Sequence, residues 1–171
     1  SMNRSQLVVN AQTVIKMANL YKLPILLSTV NANNSRNRDT IPRLKYEIGA
    51  GVPSYDRSSI NAWEDKDYVQ AVKATGRKKI IMLALWTEAC LTFPALDAMA
   101  EGYEVYPVVD AVGGTSPEAH ETALRRIEQA GAKPVSIAQL GCELQRDWNR
   151  PDAVDVFVKV MSEFGAFNNL G

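Results

Sequence analysis

From Gln6 to Tyr21 the apolar positions Val8, Val9, Ala11, Val14, Ile15, Met17, Ala18 and Leu20 recur at helical spacing and predict a helix with a broad buried face. Pro24 ends it, and Ile25 to Val30 reads as a buried strand. Asn31 to Tyr46 is polar, with four asparagines, three arginines and a proline, which predicts an excursion outside the sheet. Asp65 to Thr75 predicts a helix that turns Tyr68, Val69 and Val72 inward and stops at Gly76. Ile80 to Leu85 follows as a strand apolar on both faces, as at the centre of a parallel sheet. Pro94 to Glu101 reads as helix and Glu104 to Val109 as strand. Thr115 to Glu118 has the spacing of a capping box, with Thr115 as the cap of a helix that runs to Gly131. Pro134 to Ile137 is a short strand and Asp152 to Phe164 a last helix. This alternation predicts an α/β fold, although it starts on a helix where a doubly wound domain usually starts on a strand.

Composition narrows the class. The 171 residues are 46% hydrophobic and 22% charged, which suits one globular domain with a core that needs no disulfide or metal. Nineteen basic residues balance nineteen acidic ones, so there is no electrostatic reason to expect nucleic acid as a partner. The local run Arg77, Lys78, Lys79 reads as a solvated helix end. Cys90 and Cys142, 52 positions apart, form neither a disulfide framework nor a thiolate zinc site, which points to a reducing, cytoplasmic setting. No run approaches about 18 apolar residues, and SMNRSQ lacks a signal-peptide pattern, so neither membrane insertion nor secretion is expected.

Candidate chemistry concentrates in Leu85 to Cys90, the run LWTEAC, where a predicted central strand gives way to a helix. Open α/β sheets bind ligands at the carboxyl ends of their strands, and Cys90 lies at such an end. A thiol near a helix N-terminus also feels the positive end of the macrodipole, which favours the thiolate. Pro94 has no N–H for the carbonyl of Cys90, which predicts a tight turn ahead of the helix rather than a plain start. Position alone leaves open both a nucleophile and an inert core cysteine, since free cysteines are among the most buried residue types.

The run INAWEDKDYVQAVKATGRKK, then LWTEACLTFPALDAMAEGYEVYPVVDAVGGTS, then ELQRDW resembles the isochorismatase-like cysteine hydrolases, and within them the YcaC-type branch. The resemblance covers Gln6 to about Asn149. It implies a three-layer, Rossmann-like α/β/α sandwich with a mostly parallel sheet, and a triad of Asp, a basic residue and a nucleophilic Cys. Cys90 matches the nucleophile and Arg57, in YDRSSINAW, matches the basic residue; a surface loop arginine is the other reading of Arg57. A non-proline cis peptide between Leu85 and Trp86 is implied too, as is a homo-oligomer assembled in rings. The implied activity is hydrolysis of a small amide or other C–N bond through an acyl-enzyme, with a small-molecule substrate as partner and no cofactor.

The physical reason for such a triad is direct. The cysteine attacks a carbonyl as thiolate, and a nearby guanidinium stabilises that anion. Arginine cannot take a proton at neutral pH, so a carboxylate must accept it and return it to the leaving group. The backbone N–H groups of Ala89 and Cys90 are candidates to hold the oxyanion. In the family the triad Asp rides on a first strand, in a segment resembling LLVIDxQ ahead of the first helix. Residues 1–171 contain no such segment, so the expectation is one isochorismatase-like domain that lacks this strand, and weak or absent amide hydrolysis. Unpaired backbone groups are then expected along Ile25 to Val30 and Ile80 to Leu85.

Other candidates complete the reading. Asp56 and Asp110, acids near strand ends, are read as a surface turn and a strand-end cap. His120, the only histidine, sits in a predicted helix and reads as solvated, so no metal site is expected. Trp63, Trp86 and Thr87 are candidates to line a pocket, and Trp148 for a pocket, core or subunit-contact role. Cys142 reads as buried and inert. Phe157, Phe164 and Phe167 give the C-terminus more aromatic content than a solvated tail needs, which supports subunit contact. A second function class is a catalytically silent relative that keeps the scaffold for binding or assembly. A third, a flavodoxin-like nucleotide binder, rests on architecture alone.

Overall fold

The computed structural model describes residues 3–167. Helix α1 (Arg4–Leu20) starts where the Asn3 side chain accepts a bond from Ser5 N, and its Val14 and Met17 are buried. Strand β1 (Leu27–Val30) pairs in parallel with β2 (Ser54–Arg57), Leu27 opposite Ser54 and Val30 opposite Arg57. Helix α3 (Lys66–Ala74) is capped by Asp65, and Gly76 beyond it takes a φ of 67°. Strand β3 (Lys79–Met82) pairs in parallel with β4 (Glu104–Pro107) across α4 (Thr92–Ala100). Helices α5 (Pro117–Gln129), α6 (Ile137–Gln145) and α7 (Val154–Phe164) follow.

The side chains of β3 alternate between two cores, and that makes three layers. Ile80 and Met82 join the core of Val72, Leu91, Ala95, Val105 and Ile127, on the side of α3, α4 and α5. Ile81 and Leu83 join that of Met17, Val108, Ile137, Leu140 and Phe157, on the side of α1, α6 and α7. The expected α/β/α sandwich is therefore the observed one. Its sheet is divided: β1 pairs only with β2, and β3 and β4 form a separate pair. Among the described residues β1 pairs with no strand other than β2, and β3 with none other than β4, so the second edge of each has no ladder partner.

Several elements differ from the sequence reading. The polar stretch 31–46 leads into helix α2 (Pro42–Ile48), which Pro42 opens from its first turn. Strand β2 was not anticipated, because SYDR shows no apolar alternation. The expected strand Pro134 to Ile137 shrinks to one bridge, Val108 with Val135. Ile137 instead opens α6, with Ser136 accepting from Gln139 N as cap. Gly141 masked this helix in the sequence. It fits close packing: a Cβ there would lie 3.1 Å from Met161 and 3.2 Å from Phe157, which would have to shift by a few tenths of an ångström. The cap of α5 is Ser116, not Thr115.

The aromatic C-terminus is explained within the chain. Phe157 is 2% exposed, and Phe164 and Phe167 pack against the same cluster, so they do not argue for subunit contact. Phe157→Ala is expected to lower the unfolding free energy by about 3–5 kcal/mol in urea denaturation, as for other buried aromatics. A loss under about 1 kcal/mol would contradict its central place in the core.

Candidate active site

Beyond β3 the chain runs to the carboxyl end of the sheet, where Leu85 bridges Gly113 and the Leu85–Trp86 peptide is cis. Leu85 and Trp86 are both more than half exposed. Thr87–Leu91, carrying Cys90, then winds as a π-helical turn before α4. Pro94 provides the local reason: without an N–H it cannot extend the α pattern back to Cys90, and a wider turn takes its place. Thr92 N donates to Thr87 O across that turn, and Thr92 Oγ1 bonds the same carbonyl at 2.7 Å.

Neighbouring segments pin the turn from outside. Thr87 N donates to Gly113 O at 2.9 Å. The Thr87 hydroxyl, fully buried, meets His120 Nδ1 at 2.9 Å. Glu88 Oε1 accepts from Thr115 N at 3.0 Å and from Thr115 Oγ1 at 2.5 Å. Burial pushes the Glu88 carboxyl up, but these bonds, its own amide and nearby His120 outweigh that and hold it below its ordinary value. His120 is therefore not the solvated helix residue that the sequence suggested. Thr87 is a buried support rather than a pocket wall.

Cys90 itself is half-buried. Ala89 N donates to Trp86 O at 3.2 Å, so that amide is already engaged, while the Cys90 amide makes no bond reaching outside its turn. Arg57 is 5% exposed, at the end of β2, which removes the surface-loop reading. Its guanidinium donates to Ser28 Oγ at 3.0 Å, to Ile60 O at 2.9 Å and to Ser59 O. Among the described residues no hydrogen bond joins Arg57 to Cys90.

Both candidate acids have structural partners. Asp56 accepts from Asn33 N and Ala32 N, each at 2.9 Å, and from Thr29 Oγ1 at 2.8 Å. Those bonds, the two amides foremost, hold its carboxyl below the ordinary value and fix the turn after β1. Asp110 caps α6, accepting from Ile137 N at 2.9 and 3.2 Å.

Trp63 is a core residue, edge-to-face with Tyr68 and Tyr103 and donating from Nε1 to Glu101 at 2.9 Å. Trp148 packs edge-to-face on Phe157 while remaining 61% exposed. Cys142 is exposed on α6, contrary to the buried reading. Lys78 and Lys79 lie over the rings of Tyr103 and Tyr106. A cavity of about 240 Å³ is lined by Val112, Gly113, Gly114, Ser116, Pro117 and His120, among others, beside the Thr87–Leu91 turn. Among the described residues no group of three or more His, Cys, Asp or Glu side chains is placed to hold a metal ion. Glu88, Gly114, Thr115 and His120 were missed as functional neighbours. The only signal for them was that Gly113 and Gly114 precede a helix.

Known proteins share this arrangement. The isochorismatase domain family matches residues 1–139. A probable hydrolase of Escherichia coli, YcaC, is 39% identical over 133 residues, which are 77% of this chain and 63% of that protein's length. The chain thus spans less than two thirds of that relative. YcaC from Pseudomonas aeruginosa, solved with hexane-2,5-diol and covalent acrylamide, superposes with a TM-score of 0.92 at 32% identity, over 99% of this chain and 83% of that one. The E. coli YcaC gene product, an octameric hydrolase of unknown specificity, superposes with a TM-score of 0.84 at 31% identity, over 98% of this chain and 86% of that one.

Burial raises the Asp110 carboxyl above 3.8 against the opposing bonds from the Ile137 amide and its own. The folded chain therefore holds this proton more tightly than the unfolded chain, and the group's contribution to stability falls as pH rises from 3.8 through the raised value. Asp110→Asn removes that dependence. Its stability relative to wild type, read by urea denaturation, is expected to be higher at about pH 7 than at about pH 3. A change in the opposite direction would show that the cap favours the carboxylate more than burial penalises it.

Proposed function

The chain belongs to the isochorismatase family, and from that premise we propose that it is a cysteine hydrolase acting on a small amide or other C–N bond. One observation carries the reading: Cys90 sits on a pinned π-helical turn at the carboxyl end of β3, flanked by the exposed side chains of Leu85 and Trp86. The Cys90 thiolate attacks the carbonyl carbon, forming the C–S bond as the C=O π electrons move onto oxygen. The Cys90 amide faces that oxyanion. Collapse breaks the C–N bond as the nitrogen takes a proton from water, and the hydroxide so formed converts the thioester to acid and regenerates the thiolate. Arg57 contributes a fixed, buried positive charge. The covalent acrylamide in the P. aeruginosa relative supports a reactive nucleophile, since acrylamide is an electrophile that alkylates thiolates.

A second reading, a catalytically impaired relative, is favoured by the two acids. Asp56 is bound to the 32–33 amides and Asp110 to Ile137, and no carboxylate of the described residues bonds the thiol. Absent a positioned acid–base group, turnover falls by about 10²- to 10⁴-fold. On this view the 171 residues retain the thiol, the scaffold and its capacity to assemble.

We further assign a homo-oligomer, on the strength of the octameric E. coli relative and of exposed Ile41, Tyr46, Ile60 and Val156. A cytoplasmic location fits two free cysteines, and no described helix is long and apolar enough to cross a membrane.

A panel of small amides tests the chemistry. Slow release of acid and amine is expected, abolished by Cys90→Ser, and reduced by about tenfold or more in Arg57→Ala. Turnover that survives Cys90→Ser would overturn the nucleophile, and turnover unchanged in Arg57→Ala would remove Arg57 from the site. Light scattering at micromolar concentration is expected to give a multiple of 18.8 kDa; a mass of 18.8 kDa itself would defeat the oligomer.

A further inference from the structure

We propose that His120 is a positioning residue for Cys90: with the Glu88–Thr115 clasp, it holds the Thr87–Leu91 turn in its wide winding and so sets where the thiol points. The proposal rests on the reading of Cys90 as the nucleophile. A π turn is rare and occurs as a single widened turn, because the ordinary i→i+4 pattern is the better one for most sequences. TEACL has no intrinsic reason to choose it beyond Pro94, and its internal closure is long, with Leu91 N at 3.3 Å from Trp86 O. Within the turn Thr92 Oγ1 also closes on Thr87 O at 2.7 Å, and the bonds that come from outside converge on one segment, 113–120, the loop into α5 and that helix's first turn.

Two further observations single out His120. Thr87 is 0% exposed, so if His120 is removed its hydroxyl loses a partner that water cannot replace. Either tautomer of the imidazole satisfies this bond, as donor or as acceptor. Gly114 provides the second. A Cβ there would lie 2.9 Å from His120 Cβ, 3.0 Å from His120 N and 3.0 Å from Glu88 Oε2, so the loop can approach both partners only as glycine. Gly114 does not need a left-handed backbone, which leaves close approach as its physical reason. The cap of α5 is made separately, by Ser116, so His120 is not needed to start its own helix.

The test compares iodoacetamide labelling of Cys90 and Cys142 at about pH 7, resolved by peptide mass spectrometry, in the full 171-residue protein. The ratio in the wild-type chain examines the nucleophile; its change in variants examines the positioning. His120→Leu is expected to lower the Cys90-to-Cys142 ratio by about 3- to 10-fold, the effect of one hydrogen bond. His120→Asn, whose amide reaches the Nδ1 position, is expected to restore it. Thr87→Val should reproduce His120→Leu, and the double variant should be no slower than either single one. Gly114→Ala, which displaces His120 without deleting it, gives the same drop and serves if His120→Leu does not fold. An unchanged ratio in a folded His120→Leu or Gly114→Ala protein overturns the proposal. So does a raised ratio, since loosening that merely exposes the thiol would accelerate its labelling.

Discussion

The buried hydroxyl of Thr87 meets His120 Nδ1 where water has no access, and with the Thr87 N–H on Gly113 O it ties the end of β3 to the start of α5. The joint between strand and helix depends on that tie. Cys90 lies three residues beyond Thr87 on a turn with few strong bonds of its own, so its position follows from how firmly the 113–120 segment grips Thr87 and Glu88. A hydrogen bond to a group with no access to solvent is costly to lose, because the orphaned partner bears its full desolvation penalty. This favours a single arrangement of the turn that carries Cys90.

The scaffold behind the turn is built in two halves. The β3–β4 pair lies between two apolar clusters, one from α3, α4 and α5 and the other from α1, α6 and α7. The β1–β2 pair carries Arg57 and stands apart from the β3–β4 pair in hydrogen bonding among the described residues. Arg57 is anchored to its own half by Ser28, Ser59 and Ile60, so the distance between its charge and Cys90 is governed by packing across the divide rather than by a direct bond. Among the described residues neither candidate acid bonds the thiol: Asp56 stabilises the turn after β1, and Asp110 stabilises the start of α6.

Much of this was legible in the residues. Helical periodicity located α1, the apolar run Ile80 to Leu85 located β3, and the LWTEAC junction located Cys90 at the end of a strand. The family resemblance supplied the layered fold, and it raised the expectation that Arg57 serves Cys90, to which no hydrogen bond joins it among the described residues. What escaped has physical causes. β2 is held by backbone pairing with β1, which leaves no pattern in SYDR. α6 carries a glycine for the sake of Met161 and Phe157, contacts that only the tertiary fold creates. His120 looked solvated because Glu118, Glu121, Arg125 and Arg126 share its helix, and its partner Thr87 is 33 positions away. Cys142 looked buried because cysteines usually are, yet it falls on the outer face of α6.

Exposure and reactivity make opposite predictions for the two thiols, and this permits a direct test. Accessibility alone favours Cys142, which is exposed, over the half-buried Cys90. Limiting acrylamide at neutral pH, followed by peptide mapping of the adduct, separates the two. The account predicts the adduct on Cys90 in clear excess over Cys142. An adduct confined to Cys142 would contradict it, leaving Cys90 an ordinary half-buried thiol.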